Sequence, residues 1–359
     1  MRRIEVPLGG GRAYPVWVGR GLLGDPQRWD EALADGAVAV VSNEVVAPLY
    51  LETVLDALGD RTVTTLVLAD GERHKTLGTW QRILDHLAES GCRRDTTVVA
   101  LGGGVVGDMA GFAAASWMRG VRCVQAPTTL LAQVDASVGG KTGVNHPSGK
   151  NLVGAFHQPA TVLADVSTLE TLPAREYRAG LAEVVKYGAI RDAAFLETLE
   201  TSVEALARRD EALLEAVVER SVRNKAEVVA ADERERGERA LLNFGHSFAH
   251  ALETATGYER YLHGEAVAIG MVVAARLSEA RGLCDPGIAD RLERLLSALG
   301  LPVRMPGDIA SAEMLERMSL DKKAVASGLR LVLLEAPGRA LVVGGSAGED
   351  IRAAIDACR

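Results

Sequence analysis

The stretch TVVALGGGVVGD, residues 97–108, decides the fold of the N-terminal half. Thr97–Leu101 is a β-branched and apolar run that predicts a buried strand, and the amphipathic spacing of Asp108–Met118 predicts a helix. A buried strand that passes through a glycine turn into a helix is the start of a βαβ unit. The stretch therefore predicts a parallel sheet covered by helices.

The turn itself has the spacing of a nucleotide-binding loop. Gly102, Gly104 and Gly107 fit GxGxxG, in which N–H groups at a helix N-terminus meet a pyrophosphate. The acid that usually binds the ribose about 20 residues later is absent, because APTT stands at residues 126–129. We interpret the turn as a nucleotide site that differs from the standard one. Asp108 also suits the first turn of any helix, where the helix dipole favours an acid.

Further strand-like runs alternate with helical patterns along the N-terminal half, as is typical of a helix-covered parallel sheet. The loop Asp70–Lys75 follows one of these runs, at the strand end where open α/β sheets receive ligands. A solvated polar turn would explain that loop equally well. The predicted strands are Ala37–Val41, Val63–Leu68, Val121–Gln125 and Thr161–Ala164, and Leu77–Glu89 is a further predicted helix.

Helical spacing dominates after Pro173. We place a domain boundary at Leu172–Pro173, which gives an α/β, Rossmann-like domain of residues 1–172 and a mainly α-helical domain of residues 173–359. Apolar runs at Leu329–Leu334 and Ala340–Val343 predict a small hairpin. The predicted helices are Arg175–Ile190, Phe195–Ala207, Glu211–Ala231, Ala240–Thr256, Glu265–Arg281 and Ile288–Leu299.

Composition excludes several classes of protein. The 359 residues carry a formal net charge of −8, which does not favour a nucleic-acid or anionic-membrane partner. The four cysteines form no CxxC pair, so we expect a reducing cytoplasm rather than a disulfide framework. We expect no signal peptide after Arg2 and Arg3, and the apolar stretch Ala266–Leu277 is too short to span a bilayer.

Three of the seven histidines predict a metal site. His246 and His250 are four residues apart and share a helical face, and two helices joined by a short turn would bring His246 near His263. Imidazole suits Zn²⁺, and one carboxylate would complete a catalytic site with an open position. Glu183 lies on an apolar helix, where a charge needs a partner. The spacing does not choose among the carboxylates of Glu183, Glu253 and Glu265.

Basic residues in glycine-rich or apolar contexts predict a pocket for an anionic substrate. Lys141 and Lys150 lie in the glycine-rich segment 135–151, and Lys186 lies one helical turn from Glu183. The other basic candidates are Lys225, Arg239, Lys322 and Lys323.

Several motifs together carry a resemblance to the 3-dehydroquinate synthase family, within the sugar phosphate cyclases, over essentially the whole chain. They are GGGVVGDMAGFAAASWMRG, PTTLLAQVDASVGGKTGVNHPSGKNLVGAFHQP, GLAEVVKYG, KAEVVAADERERG, NFGHSFAHALE, HGEAVAIGM and DKK. The resemblance implies an N-terminal NAD-binding domain, a C-terminal metal-binding domain, a cleft between them and a homodimer.

The resemblance also implies roles for individual residues. The ligands of a Zn²⁺ or Co²⁺ ion would be Glu183, His246 and His263. Arg119 would reach the substrate phosphate from the partner subunit. NAD would contact Asp70, Gly71, Glu72, Arg73, His74, Lys75, Gly103, Gly104, Val105, Val106, Gly107, Asp108, Thr128, Thr129, Lys141, Lys150, Thr168, Leu169, Glu170 and Thr171. Substrate would contact Arg119, Asp135, Lys141, Asn151, Lys186, Lys225, Arg239, Asn243, His250 and either Lys322 or Lys323. Catalytic roles would fall on Asp135, Lys141, Lys186, Glu235 and His250, the last two at acid–base positions.

The reaction of the family accounts for these residue types. Its substrate, 3-deoxy-D-arabino-heptulosonate 7-phosphate, carries a phosphate and a carboxylate, which call for cationic side chains. Oxidation of the C5 hydroxyl by NAD, with the metal polarising that oxygen, acidifies the C6–H so that phosphate leaves. Re-reduction, ring opening and an aldol step then give 3-dehydroquinate.

Three other functions compete with this one. Another sugar phosphate cyclase, such as an epi-valiolone synthase, would share the chemistry, and Arg239 and Asn243 are the residues to compare. A metal-dependent alcohol dehydrogenase would instead accumulate NADH. The third alternative is a catalytically silent regulator that binds NAD or metal.

Overall fold

The computed structural model describes residues 1–235, 237–321 and 329–359, and these form two compact units. The first unit comprises Met1–Leu172 and Glu211–Arg234, and the second comprises Pro173–Asp210 and Glu235–Arg359. Lys322 and Lys323 lie outside the described residues.

A seven-stranded sheet forms the centre of the first unit, in the order β1-β2-β9-β6-β5-β3-β4. The neighbouring pairs in it are parallel except for the β1–β2 pair at one edge. The strands are β1 Arg2–Pro7, β2 Ala13–Gly19, β3 Val38–Asn43, β4 Val63–Leu68, β5 Thr97–Gly102, β6 Arg122–Pro127 and β9 Thr161–Asp165. β3, β5 and β9 are buried along their whole length, as strands covered on both faces must be.

Helices cover both faces of this sheet. Alternate residues of β3 belong to two separate hydrophobic core clusters. Ala39 and Val41 belong to one cluster, and Val38 and Val40 belong to the other. The α/β, Rossmann-like prediction for this region is therefore confirmed. The helices of the unit are α1 Pro26–Ala32, α2 Ala47–Leu58, α3 Leu77–Glu89, α4 Gly104–Ser116 and α8 Glu211–Ala231.

Three features of the first unit differ from prediction. β1 and β2 were not predicted, because β1 has only two buried positions among its charged residues. The glycine-rich segment forms an antiparallel hairpin of β7 Lys141–His146 and β8 Gly149–Phe156. α4 begins at Gly104 and not at Asp108, because Gly103 is the last extended residue (φ −75°, ψ −174°).

The assignment of Glu211–Ala231 to the second domain is corrected by the structure. α8 packs against β1 of the first unit, and Glu219 forms an ion pair with Arg2. The spacing of apolar residues predicted that α8 is a helix, but it did not predict which unit buries the apolar face of that helix.

The second unit is mainly helical, as predicted. Its helices are α5 Ala174–Ile190, α6 Ala193–Thr201, α7 Val203–Ala207, α9 His246–Ala255, α10 His263–Ala280, α11 Ile288–Ala298, α12 Ser311–Asp321 and α13 Gly348–Asp356. The predicted hairpin is present as antiparallel β10 Arg330–Ala336 and β11 Arg339–Gly344. Among the helices that the structure describes, none has the length and apolar character of a membrane span.

Two predicted helices of this unit are interrupted. Phe195–Ala207 divides at Ser202 into α6 and α7. Ala240–Thr256 divides into a 3₁₀ segment, Glu238–Asn243, and α9, because Gly245 adopts a left-handed conformation (φ 79°). The second break makes His246 the first residue of a helix.

Candidate metal centre and nucleotide loops

Three helices bring Glu183, His246 and His263 together. Glu183 lies on α5, and the two histidines are the first residues of α9 and α10. Glu183 Oε1 lies 3.5 Å from His246 Nε2 and 3.6 Å from His263 Nε2. Ligands that bind one tetrahedral Zn²⁺ at about 2.0–2.1 Å lie roughly 3.4 Å apart. The three atoms therefore fit a single divalent cation.

Two glycines of the motif HGEAVAIGM allow this approach. A Cβ on Gly264 would lie 1.9 Å from Ala179 O of α5, and a Cβ on Gly270 would lie 2.2 Å from Gly245 O. Both distances are far inside van der Waals contact. The absence of side chains at these positions thus brings the backbone of α10 against α5 and the start of α9.

The carboxylate of Glu183 has the character of a ligand. Its side chain is 1% exposed and forms an ion pair with Lys186, but no described residue donates a hydrogen bond of normal geometry to either oxygen. Burial alone would raise the pKa of Glu183, and the charge of Lys186 instead holds it well below its usual range. An ionised, buried carboxylate with unused lone pairs fits a cation.

The two other candidate carboxylates have different partners. Glu253 faces the opposite nitrogen of His263, with Oε1 3.5 Å from Nδ1. Glu265 accepts a hydrogen bond from Leu262 N at 2.9 Å and pairs with Arg175 at 2.7 Å, so it caps α10. Of the three, Glu183 is the one that faces Nε2 of both His246 and His263.

Four other predicted residues of the second unit lie in one stretch of the chain. Glu235 precedes the 3₁₀ segment Glu238–Asn243, Arg239 and Asn243 lie in it, and His250 lies on α9. The ring centroid of His250 is 5.7 Å from that of His246 and 6.2 Å from that of His263, and His250 is exposed. Arg239 is 1% exposed. Asn243 Nδ2 donates to Glu235 Oε1 at 3.2 Å.

In the first unit, the loops that the resemblance assigns to NAD follow the carboxyl ends of β4, β5, β6 and β9. Thr128 N donates to Gly102 O at 3.0 Å, which joins two of these loops. A Cβ on Gly103 would lie 3.1 Å from Thr129 Cγ2, and one on Gly107 would lie 2.7 Å from Gln125 Oε1. The glycines thus allow close packing, while the first N–H groups of α4 are left for an anion.

Lys75 joins the loop after β4 to α4 and the hairpin. It is 4% exposed, and its Nζ donates to Asp108 Oδ2 at 2.5 Å and to Asn151 Oδ1 at 2.6 Å. Burial would lower the pKa of Lys75, but the carboxylates of Asp108 and Glu72 outweigh burial and raise it. Asp108 is therefore a partner of Lys75 in the second turn of α4, which corrects its interpretation as a first-turn acid.

Gln133 is a buried residue of these loops that sequence reasoning missed. It is 0% exposed, and its Nε2 lies 3.2 Å from Pro127 O, 2.9 Å from Asp165 O and 3.1 Å from Thr168 Oγ1. One amide thus links the ends of β6 and β9. A glutamine within the run LLAQVDA was the only signal in the sequence, and the function of such a residue depends on the strands that surround it.

The other predicted residues of the first unit lie in three places. Lys225 Nζ donates to Asp135 O at 2.6 Å and pairs with Asp135 Oδ1 at 2.8 Å, where Ala132–Ala136 forms a π-helical turn. Lys141 and Lys150 lie on the β7–β8 hairpin. Arg119 is exposed in a turn where it and Met118 have positive φ.

Comparison with known proteins identifies the family. Residues 65–179 match the family described as 3-dehydroquinate synthase N-terminal, and residues 180–324 match 3-dehydroquinate synthase C-terminal. The chain is 58% identical to the 3-dehydroquinate synthase of Halorhodospira halophila, over 96% of both chains. The chain belongs to the 3-dehydroquinate synthase family.

Solved structures of sugar phosphate cyclases share the fold of this member of the 3-dehydroquinate synthase family. A 2-epi-5-epi-valiolone synthase from Streptomyces hygroscopicus with NAD⁺ and Zn²⁺ bound matches with a TM-score of 0.90 at 30% identity, over 98% of both chains. A 2-deoxy-scyllo-inosose synthase complexed with carbaglucose-6-phosphate, NAD⁺ and Co²⁺ matches with a TM-score of 0.88 at 26% identity, over 98% of this chain and 100% of the other.

Proposed function

We propose that the protein is a 3-dehydroquinate synthase, which converts 3-deoxy-D-arabino-heptulosonate 7-phosphate to 3-dehydroquinate and phosphate in the shikimate pathway. The observation that carries the proposal is the placement of Glu183 Oε1 within 3.6 Å of Nε2 of both His246 and His263, in a chain 58% identical to a 3-dehydroquinate synthase. The net reaction is that of a carbon–oxygen lyase acting on a phosphate, without net oxidation.

Two groups supply chemistry that side chains lack. NAD, against the loops after β4, β5, β6 and β9, would supply reversible hydride transfer. A divalent cation, Zn²⁺ or Co²⁺, held by Glu183, His246 and His263, would supply Lewis acidity. The NAD⁺ and the metal ions named for the two cyclase structures support both assignments.

The residues of the chain supply charge and proton transfer. Lys186 and Arg239, 2% and 1% exposed, give the second unit two buried cations for an anionic substrate. His250 is exposed beside the three proposed ligands, and an imidazole can both accept and donate a proton, so His250 suits the role of proton carrier. We assign the acid–base role to His250 with Glu235, which accepts the amide of Asn243.

Phosphate release tests the proposal directly. The purified protein with NAD and Zn²⁺ is given 3-deoxy-D-arabino-heptulosonate 7-phosphate or sedoheptulose 7-phosphate, and phosphate and NADH absorbance are followed together. We expect phosphate from the keto acid only, without accumulation of NADH. Release from the heptulose alone would instead identify an epi-valiolone synthase, and stoichiometric NADH would identify a dehydrogenase.

His250 distinguishes a proton carrier from a ligand. We expect His250→Ala to lower turnover by on the order of 100-fold or more while the metal content stays at the level of the unmodified protein. An equal loss of metal, measured by elemental analysis of the same samples, would make His250 a ligand.

We also propose a cytoplasmic homodimer in which Arg119 serves the partner's site. The exposed, positive-φ turn at Met118–Arg119 and the four free cysteines support these two assignments. A mixture of Arg119→Ala and Glu183→Gln chains, unfolded and refolded together, would contain one intact site in each mixed dimer. We expect about a quarter of the normal activity from such a mixture. Activity no higher than that of the separate variants would place Arg119 in its own subunit's site.

A further inference from the structure

The two histidines beside Glu183 have different acceptors behind their other ring nitrogens. His246 Nδ1 lies 3.1 Å from Phe244 O, and His263 Nδ1 lies 3.5 Å from Glu253 Oε1. A neutral imidazole carries a proton on only one nitrogen, so an acceptor at Nδ1 leaves the lone pair on Nε2. Both rings are thereby set to present Nε2 to the position beside Glu183.

We propose that Glu253 is a positioning residue of the metal centre, which accepts the Nδ1–H of His263 and so fixes the ring and tautomer that offer Nε2 to the cation. This inference rests on the metal binding of the proposed function. It adds to that function a residue that is not itself a ligand.

The burial and helix position of Glu253 support this role. It follows His246 and His250 at i+7 and i+3, so all three side chains lie on one face of α9. Glu253 is 2% exposed, and a carboxylate so deeply buried requires a polar or charged partner. His263 provides such a partner from the start of the neighbouring helix.

The two acceptors differ in kind. The backbone carbonyl of Phe244 is present whatever side chain stands there, and it is neutral. Glu253 adds a negative charge, which makes the imidazole that it binds a stronger ligand. His263 is also the more exposed of the two histidines, with 36% of its side chain exposed against 12% for His246. The more exposed ligand thus has the charged acceptor.

A rival arrangement makes Glu253 a ligand. His250, Glu253 and His263 also offer ligand atoms within 4.8 Å of one another. In that arrangement the atom of His263 closest to the carboxylate is Nδ1, whereas in the arrangement with Glu183 it is Nε2. The structure favours the latter, because Glu183 is buried and faces Nε2 of both His246 and His263, while His250 is exposed.

Zinc affinity of the full-length protein tests the proposal. The dissociation constant for Zn²⁺ is measured by competition with a chelator, without substrate, for Glu253→Met, Glu253→Gln, Glu183→Gln and the matched control Glu265→Gln. Glu265 lies two residues from His263 but caps α10 through Leu262 and Arg175. We expect Glu253→Met to weaken binding about 10- to 100-fold and Glu253→Gln to weaken it less, because the amide oxygen still accepts the Nδ1–H. We expect Glu265→Gln to bind like the unmodified protein and Glu183→Gln to lose binding.

The Co²⁺-loaded proteins supply a second measurement. If Glu253 positions His263, Glu253→Gln shifts the visible absorption bands of Co²⁺ but keeps the intensity of tetrahedral coordination, at one ion per chain. A loss of binding in Glu253→Gln as complete as in Glu183→Gln would make Glu253 a ligand and overturn the proposal. Unmodified affinity in both Glu253 variants would also overturn it. If the unmodified protein bound no Zn²⁺, the proposed function would fail instead.

Discussion

The two units build their candidate binding groups in opposite ways. In the first unit the groups are backbone atoms and short loops at the ends of parallel strands, where glycines let the chain pack closely. In the second unit they are side chains of α5, α9 and α10, which converge only after the helices have packed. A backbone site is encoded locally in one stretch of sequence. A side-chain site depends on packing between segments that are distant in sequence.

The difference extends to how charge is buried. Lys75 in the first unit forms an ion pair with Asp108 and also donates a hydrogen bond to Asn151. Glu183 in the second unit pairs with Lys186 but keeps oxygen atoms that accept no hydrogen bond of normal geometry from the described residues. The first cluster is complete within the protein, whereas the second fits an additional cation.

The largest effect should come from Glu183→Gln in the second unit. We expect activity to fall on the order of 1,000-fold, because a neutral amide cannot replace the charged ligand that we propose for the catalytic cation. NAD affinity, measured by tryptophan fluorescence, should change less than about twofold. A tenfold change in the dissociation constant would require about 1.4 kcal/mol of binding free energy. A parallel loss of NAD binding would mean that the two sites are not built independently.

Gly264→Ala should test whether packing of α10 creates the candidate metal centre. The added methyl group would lie 1.9 Å from Ala179 O, so the helices must separate, at a cost of about 3 kcal/mol or more. We expect the midpoint temperature of thermal unfolding to fall and the affinity for Zn²⁺ to weaken. Gly104→Ala in the first unit is the comparison, because its Cβ would lie 3.2 Å from Ala136 Cβ and should cost less. Equal stability of the two variants would contradict this account of the helix packing.

Gln133→Leu should affect the first unit. Removing the amide leaves two buried carbonyls, Pro127 O and Asp165 O, with fewer donors, which costs about 1–3 kcal/mol. We expect NAD binding to weaken about tenfold, a change of about 1.4 kcal/mol, because the loops at Thr128 and Thr168 lose their link. Calorimetry with NAD measures this effect, and zinc affinity serves as the control. Stability loss with unchanged NAD affinity would make Gln133 purely structural.

The smallest effect should come from the surface pair that attaches α8 to β1. Burial would raise the pKa of Glu219, but hydrogen bonds from Arg223 and Arg2 lower it. Because the folded-state pKa is the lower one, the stabilisation is present above the unfolded pKa of about 4.3 and is lost as the pH falls through the folded value. Glu219→Gln should cost about 1 kcal/mol or less at pH 7, and the difference should vanish in acid. A difference in urea unfolding that grew below pH 4 would contradict this sign.

Local pattern was sufficient to predict part of this molecule. The buried strands β3, β5 and β9 were readable because strands covered on both faces are continuous apolar runs. The spacing of His246 and His250 showed one helical face, and the turn after it suggested that His263 would be close. β1 was missed, because an edge strand with one buried face gives a short and charged pattern, and its neighbour β2 was missed with it.

Long-range packing accounts for what the sequence could not predict. The choice of Glu183 over Glu253 and Glu265 depends on where α5 lies against α10, which spacing along the chain does not encode. The role of Gln133 depends on β6 and β9 being neighbours in the sheet. The break at Gly245 is a local feature, but a glycine within a helical pattern does not by itself reveal a left-handed residue.

The return of Glu211–Arg234 to the first unit has a consequence for biosynthesis. A nascent chain that has emerged through Leu172 contains every strand of the large sheet but lacks the helix that covers β1. The first unit is completed only after Pro173–Asp210, which belongs to the other unit, has also been translated. The first unit therefore cannot finish folding ahead of the rest of the chain, because α8 is translated after Pro173–Asp210. β1 remains uncovered on the ribosome until α8 emerges.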